Sequence, residues 1–353
     1  MAATTAQGFS LLLGEGRMIG SEALRSHLQR EIDRGALSHA YLIEGAKGTG
    51  KHLLAKLLCA ALSCRERATG RVLPCGECPA CEKILQDKSP DVCVIGKGSK
   101  SSIGVDDVRF LRADVLIPPN DLDYKFYIIE DAQDLTAQAQ NALLLTLEEP
   151  PSYVVFFLLC DNVANILETV RSRAPSLRIS PVAPALMQEY LLKTQRTFAA
   201  MTPEEQDELL CMAQGSVGAA LGLLDGRTRK PLAERRRFAA RAVALCLTHS
   251  DTLQCMECIK GFGSAREEVL AKLTLMQEAL RDLMLLKKSD TAPTVFYSNR
   301  EEAQHIATQS AMLRLLALYE SVERARTRIL RNANIRLVLT ALLLGDHQVA
   351  EGT

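Results

Sequence analysis

The first half of the chain alternates short apolar runs with segments of helical periodicity. The apolar runs, rich in β-branched and aromatic residues, predict five strands, the last of them weaker: Ala40–Glu44, Asp91–Gly96, Lys125–Glu130, Val154–Leu159 and Leu177–Ile179. Helical spacing occurs between them, over Lys51–Ser63, Ile103–Leu116 and Thr136–Glu149. Continuous apolar strands that alternate with helices are typical of a parallel sheet covered on both faces. This pattern predicts an α/β domain.

The strand pattern disappears after about Pro181. Residues 181–226 predict short helices, and residues 227–353 predict longer helices with Pro and Gly confined to their joints. We therefore expect three domains: an α/β domain over 1–180, a small helical domain over 181–226 and a larger helical domain over 227–353.

Composition restricts the compartment and the partners. Lys+Arg and Asp+Glu both number 42 in 353 residues, so no net field draws the whole chain to DNA or to an acidic membrane. The sequence has no apolar run of the roughly 18–20 residues that span a bilayer, and its N-terminus lacks the features of a secretory signal. These features predict a cytoplasmic protein without membrane contact. Its 11 Cys are then thiols or metal ligands rather than disulfides.

A glycine-rich segment, Gly45–His52, follows the first predicted strand and begins a helix, as a P-loop does. In such a loop Gly45, Gly48 and Gly50 let backbone N–H groups surround phosphate oxygens, and Lys51 reaches the outer phosphates. The last position is normally Ser or Thr, whose hydroxyl helps to bind Mg²⁺. His52 is a poor ligand for that ion. We expect a loop that descends from a phosphate-binding one and does not support hydrolysis; the sequence alone does not decide whether ATP binds.

Two acids end the third predicted strand, where a Walker B segment places an Asp for Mg²⁺ and then a Glu that activates water. Here the order is reversed, as Glu130 and then Asp131. Each carboxylate is therefore about one methylene away from the reach that its position requires, and a displacement of about 1 Å can lower a rate about a hundredfold. Alternatively, the two acids cap the next helix.

Four cysteines, Cys64, Cys75, Cys78 and Cys81, are separated by ten, two and two residues. Four thiolates with this spacing suit tetrahedral Zn²⁺ without an open position for water, which predicts a structural site. A redox pair and an iron–sulfur cluster are the alternatives. Cys59 lies one helical turn before Cys64 and is the less suitable fourth ligand.

The order of these motifs resembles the bacterial DNA polymerase III clamp-loader subunits, and the delta-prime type more than the tau/gamma type. Further segments carry the resemblance: Met18–Glu22, Ser38–Leu42, Ile103–Arg109, Asn141–Leu144, Thr146–Pro151, Arg171–Arg173, Gly215–Leu221 and Asn332–Leu337. It implies an AAA+ P-loop domain with a five-stranded parallel sheet and a zinc-binding insertion over 64–81. A small helical lid domain and an all-helical collar domain that joins the subunits would follow.

The resemblance also implies a role for Arg173. In that family a Ser-Arg-Cys motif carries an arginine finger that reaches the ATP of a neighbouring subunit; here it is Ser172-Arg173-Ala174. Arg173 as an ordinary surface arginine is the alternative, and Arg171 lies one residue off the motif. The sensor-1 Thr and sensor-2 Arg of active subunits fall on Cys160 and Gly218.

The resemblance thus implies a stator that offers a finger to its neighbour without hydrolysing ATP. Its expected partners are tau/gamma and delta subunits in a hetero-pentamer, with the sliding clamp and primed DNA reached through the complex. Polymerase activity would belong to the holoenzyme alone. The alternatives are an active tau/gamma-like ATPase and a zinc-stabilised DNA-binding repair adaptor.

Overall fold

The computed structural model of the protein describes residues 19–34, 37–66, 74–248, 252–290, 292 and 294–344. The chain forms two compact units. Among the described residues, the first unit continues to Arg196 and includes Gly215–Ala219, whereas the second comprises Thr197–Gln214 and the chain from Ala220 onwards. The predicted division into three domains at 180 and 226 stays a prediction. Residues 1–18 and 345–353, at the two ends of this predicted division, lie outside the described residues. The same holds for residues 67–73 of the predicted zinc insertion.

A five-stranded sheet is the centre of the first unit. Its strands are β1 Ala40–Glu44, β2 Val92–Ile95, β3 Lys125–Ile129, β4 Val154–Cys160 and β5 Ser176–Arg178. They lie in the order β2-β3-β4-β1-β5 and every neighbouring pair is parallel, which confirms the predicted sheet. Because the strands are parallel, the carboxyl ends of β1, β3 and β4 meet at one edge. The P-loop and both predicted acids follow these strand ends.

Helices cover both faces of this sheet, as the apolar strands predict. They are α1 Glu22–Arg34, α2 Lys51–Leu62, α3 Pro79–Leu85, α4 Val105–Val115, α5 Ala137–Glu148 and α6 Glu168–Arg171. A further helix of the same unit, α7 Pro184–Thr194, follows the last strand. Phe126 and Phe157 are buried against α2, whereas their neighbours Tyr127 and Phe156 are buried on the other face with α4 and α5. This alternation follows from the two-residue period of a strand. The sequence did not predict α3, which contains the last cysteine of the cluster.

The second unit is helical throughout its described residues. Two short helices, α8 Arg196–Ala199 and α10 Val217–Leu223, lie where the chain passes from one unit to the other. The remaining helices are α9 Pro203–Ala213, α11 Gly226–Leu247, α12 Thr252–Phe262, α13 Arg266–Lys288, α14 Arg300–Gln309, α15 Met312–Leu330 and α16 Ile335–Leu344. α13 packs against α11, α14 and α15. No helix in the described ranges combines the length and the apolar character that crossing a bilayer requires.

Candidate functional site

The segment Gly45–His52 joins β1 to α2 and has the local form of a P-loop. Gly48 and Gly50 have φ angles of +79° and +94°, in the left-handed region that glycine adopts without steric cost. Gly50 caps α2, so Lys51 and His52 lie in its first turn. The predicted geometry of a phosphate-binding loop is therefore present.

The ammonium group of Lys51 is satisfied by the chain itself. Its Nζ donates to the backbone carbonyls of Gly45 at 2.6 Å and Ala46 at 3.1 Å, and lies 2.5 Å from Oδ1 of Asp161. An ammonium group has three N–H donors, which these three acceptors match. The Lys51 side chain is only 11% exposed. A phosphate could approach this lysine only by replacing an acceptor that it already has.

Asp161 is a site residue that sequence analysis did not identify. It comes directly after β4, the strand that pairs with β1. The available signal was an acid at the end of a fully apolar strand, because parallel neighbours end at the same edge of a sheet. The preceding residue, Cys160, is the one that the resemblance aligns with sensor 1. Burial raises the pKa of the Cys160 thiol to about 11, so it stays neutral at pH 7 and is a weaker donor than a Thr hydroxyl.

The two predicted Walker B acids contact different partners. Glu130 approaches His52, with Oε1 lying 2.9 Å from Nδ1, which is close enough for an ion pair when the imidazole is protonated but is not an aligned hydrogen bond. Asp131 contacts Lys97 at 4.0 Å and Nε2 of Gln133 at 3.4 Å. Its carboxylate makes no capping hydrogen bond to the following 3-10 turn in the described residues. The structure therefore places only Glu130 beside the P-loop helix.

The loop is also covered by the segment that begins α10. The Gly218 N–H donates to the carbonyl of Gly48 at 2.9 Å, and the Ser216 hydroxyl donates to the carbonyl of Lys47 at 3.0 Å. A Cβ atom at position 218 would lie 2.9 Å from the Gly48 oxygen and 3.0 Å from its Cα. These distances are too short for a side chain. Gly218, which the resemblance aligns with the sensor-2 arginine, therefore lets two backbones touch.

Arg173 lies between α6 and β5, and its contacts in the described residues are not with the P-loop. Its guanidinium donates to the carbonyl of Thr169 at 2.8 Å, to the hydroxyl of Ser172 at 3.4 Å and to the carboxylate of Glu148. The side chain is 33% exposed. Arg171, the last residue of α6, is exposed. The guanidinium of Arg173 therefore has three partners within its own unit.

The four predicted cysteine ligands converge. Their Sγ atoms all lie within 4.8 Å of one another, and those of Cys75 and Cys81 are 3.9 Å apart. Tetrahedral Zn²⁺ with bonds of about 2.3 Å separates its sulfurs by about 3.8 Å, so the set fits this ion closely. Cys64 follows α2, Cys78 caps α3 and Cys81 lies in the first turn of α3. Cys59 is buried outside this set.

Burial and hydrogen bonds shift the pKa values of three of the four thiols. Burial raises the pKa values of Cys64 and Cys81. Burial also acts to raise the pKa of Cys78, but hydrogen bonds from the backbone of Cys81 and Arg65 and from neighbouring thiols outweigh it and lower that pKa to about 7. The Cys78 N–H itself donates to Sγ of Cys75 at 3.4 Å. Such N–H···S contacts favour the thiolates that a metal requires.

Two families match most of the chain. The family described as DNA polymerase III, delta subunit, matches residues 20–183, and the one described as DNA polymerase III, delta subunit, C terminal, matches residues 230–347. The chain belongs to the DNA polymerase III clamp-loader family. Its predicted fold class, an AAA+ α/β domain followed by helical domains, is confirmed by the five-stranded sheet and the helical second unit.

Relatives of this clamp-loader chain include tau and gamma subunits. DNA polymerase III subunit tau of Bacillus subtilis is 33% identical over 304 residues, which are 86% of this chain and 50% of that protein. The gamma subunit of Buchnera aphidicola is 24% identical over 343 residues, 93% of each chain. The chain spans half or less of the length of the first curated relatives that it matches. The two families and these relatives name different subunits, so the comparisons give the family and not the subunit type.

One similar solved structure is a DNA polymerase III gamma subunit-related protein of Thermotoga maritima. It is 18% identical, with a TM-score of 0.37, and the match covers 90% of this chain and 97% of that one.

Proposed function

We propose that this chain is a delta-prime-like clamp-loader subunit that does not hydrolyse ATP. It would support the ATP-driven loading of a sliding clamp on primed DNA, in a complex with tau/gamma and delta subunits. The observation that carries the proposal is the closed state of Lys51, whose three donors are taken by Gly45, Ala46 and Asp161. An active P-loop keeps this lysine for the phosphates of its nucleotide.

Three further features of the same pocket support the proposal. His52 replaces the hydroxyl that would bind Mg²⁺ and lies against Glu130 instead. Cys160 offers a neutral thiol, and Gly218 offers a backbone contact in place of a guanidinium. Each change removes a different group that handles magnesium, water or the γ-phosphate. A single restored side chain would therefore leave the others missing.

The arginine that we propose as a finger is retained. Arg173 keeps a charged, ordered guanidinium at the surface of the first unit, which is compatible with a role in a neighbouring subunit. Such fingers stabilise charge that develops on the transferring phosphoryl group, and their contribution to the rate is about 10³–10⁵-fold. We propose Arg173 as this group rather than Arg171.

We propose a structural Zn²⁺ ion held by Cys64, Cys75, Cys78 and Cys81. Four thiolates complete the coordination of the ion, so it would supply structure and no catalytic water. The site would join the end of α2 to the beginning of α3, because Cys64 follows one helix and Cys81 lies in the other. It therefore stabilises the helix that starts at the P-loop.

The second candidate is an active tau/gamma-like ATPase, which the 33% identity to a tau subunit favours. Assays of ATP binding and ATP turnover on the purified chain distinguish the proposed stator from an active ATPase. The proposed stator has no turnover alone, and it raises the ATPase rate of its tau/gamma partner on clamp and primed DNA. Arg173→Ala abolishes that increase.

Turnover by the chain alone that falls in Lys51→Ala would favour the active ATPase. Tight, salt-sensitive DNA binding by the isolated chain would favour the repair adaptor.

A further inference from the structure

The carboxyl end of α5 carries two consecutive acids whose surroundings differ. Glu148 and Glu149 are both exposed, and the last turn of this helix contains no basic residue. The dipole of a helix disfavours negative charge at its carboxyl end. Glu148 gains a compensating cation because its carboxylate accepts a hydrogen bond from Arg173. No comparable partner is recorded for Glu149 among the described residues. The chain therefore provides an internal comparison between two neighbouring acids.

The guanidinium of Arg173 is held through its two terminal nitrogens. One terminal nitrogen donates to Thr169 and Ser172, and the other donates to Glu148. A guanidinium has five N–H donors, so two are left over by these three contacts. The anchoring groups come from two separate elements, because Thr169 lies in α6 and Glu148 ends α5. Two anchors on separate elements restrict the direction of the Arg173 side chain more than either anchor would alone.

We infer that Glu148 is a positioning residue for Arg173, and that it orders the guanidinium before a neighbouring subunit presents a phosphate. This inference rests on the proposed function of Arg173. Arginine has many rotamers, and a side chain ordered in advance loses less entropy when it docks. The remaining donors can then give charge-assisted hydrogen bonds to phosphate oxygens. Glu148 acts only through Arg173 and touches no substrate.

The experiment uses the complete clamp-loader complex, assembled with the motor subunits of the same organism, sliding clamp and primed DNA. Steady-state ATP hydrolysis gives kcat and KM for the complex with the unaltered chain, Glu148→Ala or Glu149→Ala. We expect Glu148→Ala to lower kcat roughly five- to tenfold with little change in KM, since an interaction made in the transition state affects kcat and an exposed ion pair orders its partner only in part. We expect Glu149→Ala to match the unaltered chain.

A double variant separates a positioning effect from a structural one. If Glu148 works through Arg173, the loss caused by Glu148→Ala disappears when Arg173→Ala is already present. Equal rates for the two alanine variants at 148 and 149, a higher rate for Glu148→Ala, or full additivity in the double variant would each overturn the inference. If Arg173→Ala alone leaves the rate unchanged, the proposed function fails first. Thermal unfolding of each purified variant shows that the chain remains folded.

Discussion

The two ends of α2 have the residues of two different predicted ligand sites, and the groups at only one end already have strong partners within the chain. At the amino end, the P-loop groups are bound by the chain itself, through Asp161 and the backbone of Gly218. At the carboxyl end, the sulfur of Cys64 lies close to the sulfurs of the other three cysteines, at distances that suit a metal ion. A motif therefore indicates which kind of ligand site a segment resembles. Whether its donors and acceptors already have protein partners indicates whether a ligand is still needed.

The chemistry of the two ends explains this difference. A lysine and the amino end of a helix are positive, and protein carbonyls and a carboxylate can replace a phosphate as their partners. Thiols are weak hydrogen-bonding groups, and the contact of the Cys81 thiol with the carbonyl of Ala60 is 3.7 Å long. Contacts of this kind cannot replace four metal–sulfur bonds. We therefore expect the cysteine cluster to depend on an ion and the P-loop to keep its form without a nucleotide.

Removing a cysteine ligand gives the largest expected effect. Cys81→Ser should abolish the binding of one equivalent of Zn²⁺ and lower the free energy of unfolding by about 4 kcal/mol, the value for a ligand at about a thousand times its Kd. Metal analysis and urea unfolding measure the two results. Cys93→Ser is the control, because Cys93 lies outside the cluster and should keep the metal. A Cys81→Ser protein with a full equivalent of zinc would contradict the proposed site.

Much of this fold follows from local sequence pattern. β1 has the predicted bounds, and α2, α4 and α5 begin and end within two residues of theirs, because apolar period and glycine or proline boundaries are local signals. α3 was not predicted, because the Cys75–Cys81 segment was considered only as a source of metal ligands. Pro79 at the first helical position was the available signal.

Local sequence pattern could not predict the long-range contacts made by the residues of the P-loop. The motifs pointed to Lys51 and the four cysteines, yet the partner of Lys51 is Asp161, 110 residues away. The resemblance implied that Gly218 stands where active subunits have an arginine. Its close approach to Gly48, however, depends on the path of the chain between the two glycines. Sequence motifs specify which groups are present. Only the fold specifies which of those groups already have a partner.

The closed state of the P-loop can be tested with two glycines of α10. Gly218→Ala should lower the free energy of unfolding by about 1–3 kcal/mol, because an added methyl group meets the Gly48 backbone and overpacks the contact. Gly222→Ala is the matched control, since a Cβ atom there meets nothing within 4 Å. It should be neutral or stabilise by up to about 1 kcal/mol, the helix preference of alanine. Equal effects in urea unfolding would mean that the close backbone contact is absent.

Restoring the magnesium hydroxyl alone should have the smallest effect. His52→Thr recreates the P-loop motif, but Lys51 still pairs with Asp161 and Gly218 still covers Gly48, so we expect no measurable ATP turnover and a change in unfolding free energy within about 0.5 kcal/mol. Adding Asp161→Ala should raise nucleotide affinity, measured by fluorescence of a labelled ATP analogue. Asp134→Ala is the control for that step, because Asp134 pairs with Lys97 instead. Turnover by His52→Thr alone would mean that the hydroxyl was the only missing group, and the contacts of Lys51 would then not be what keeps this chain from acting as a motor.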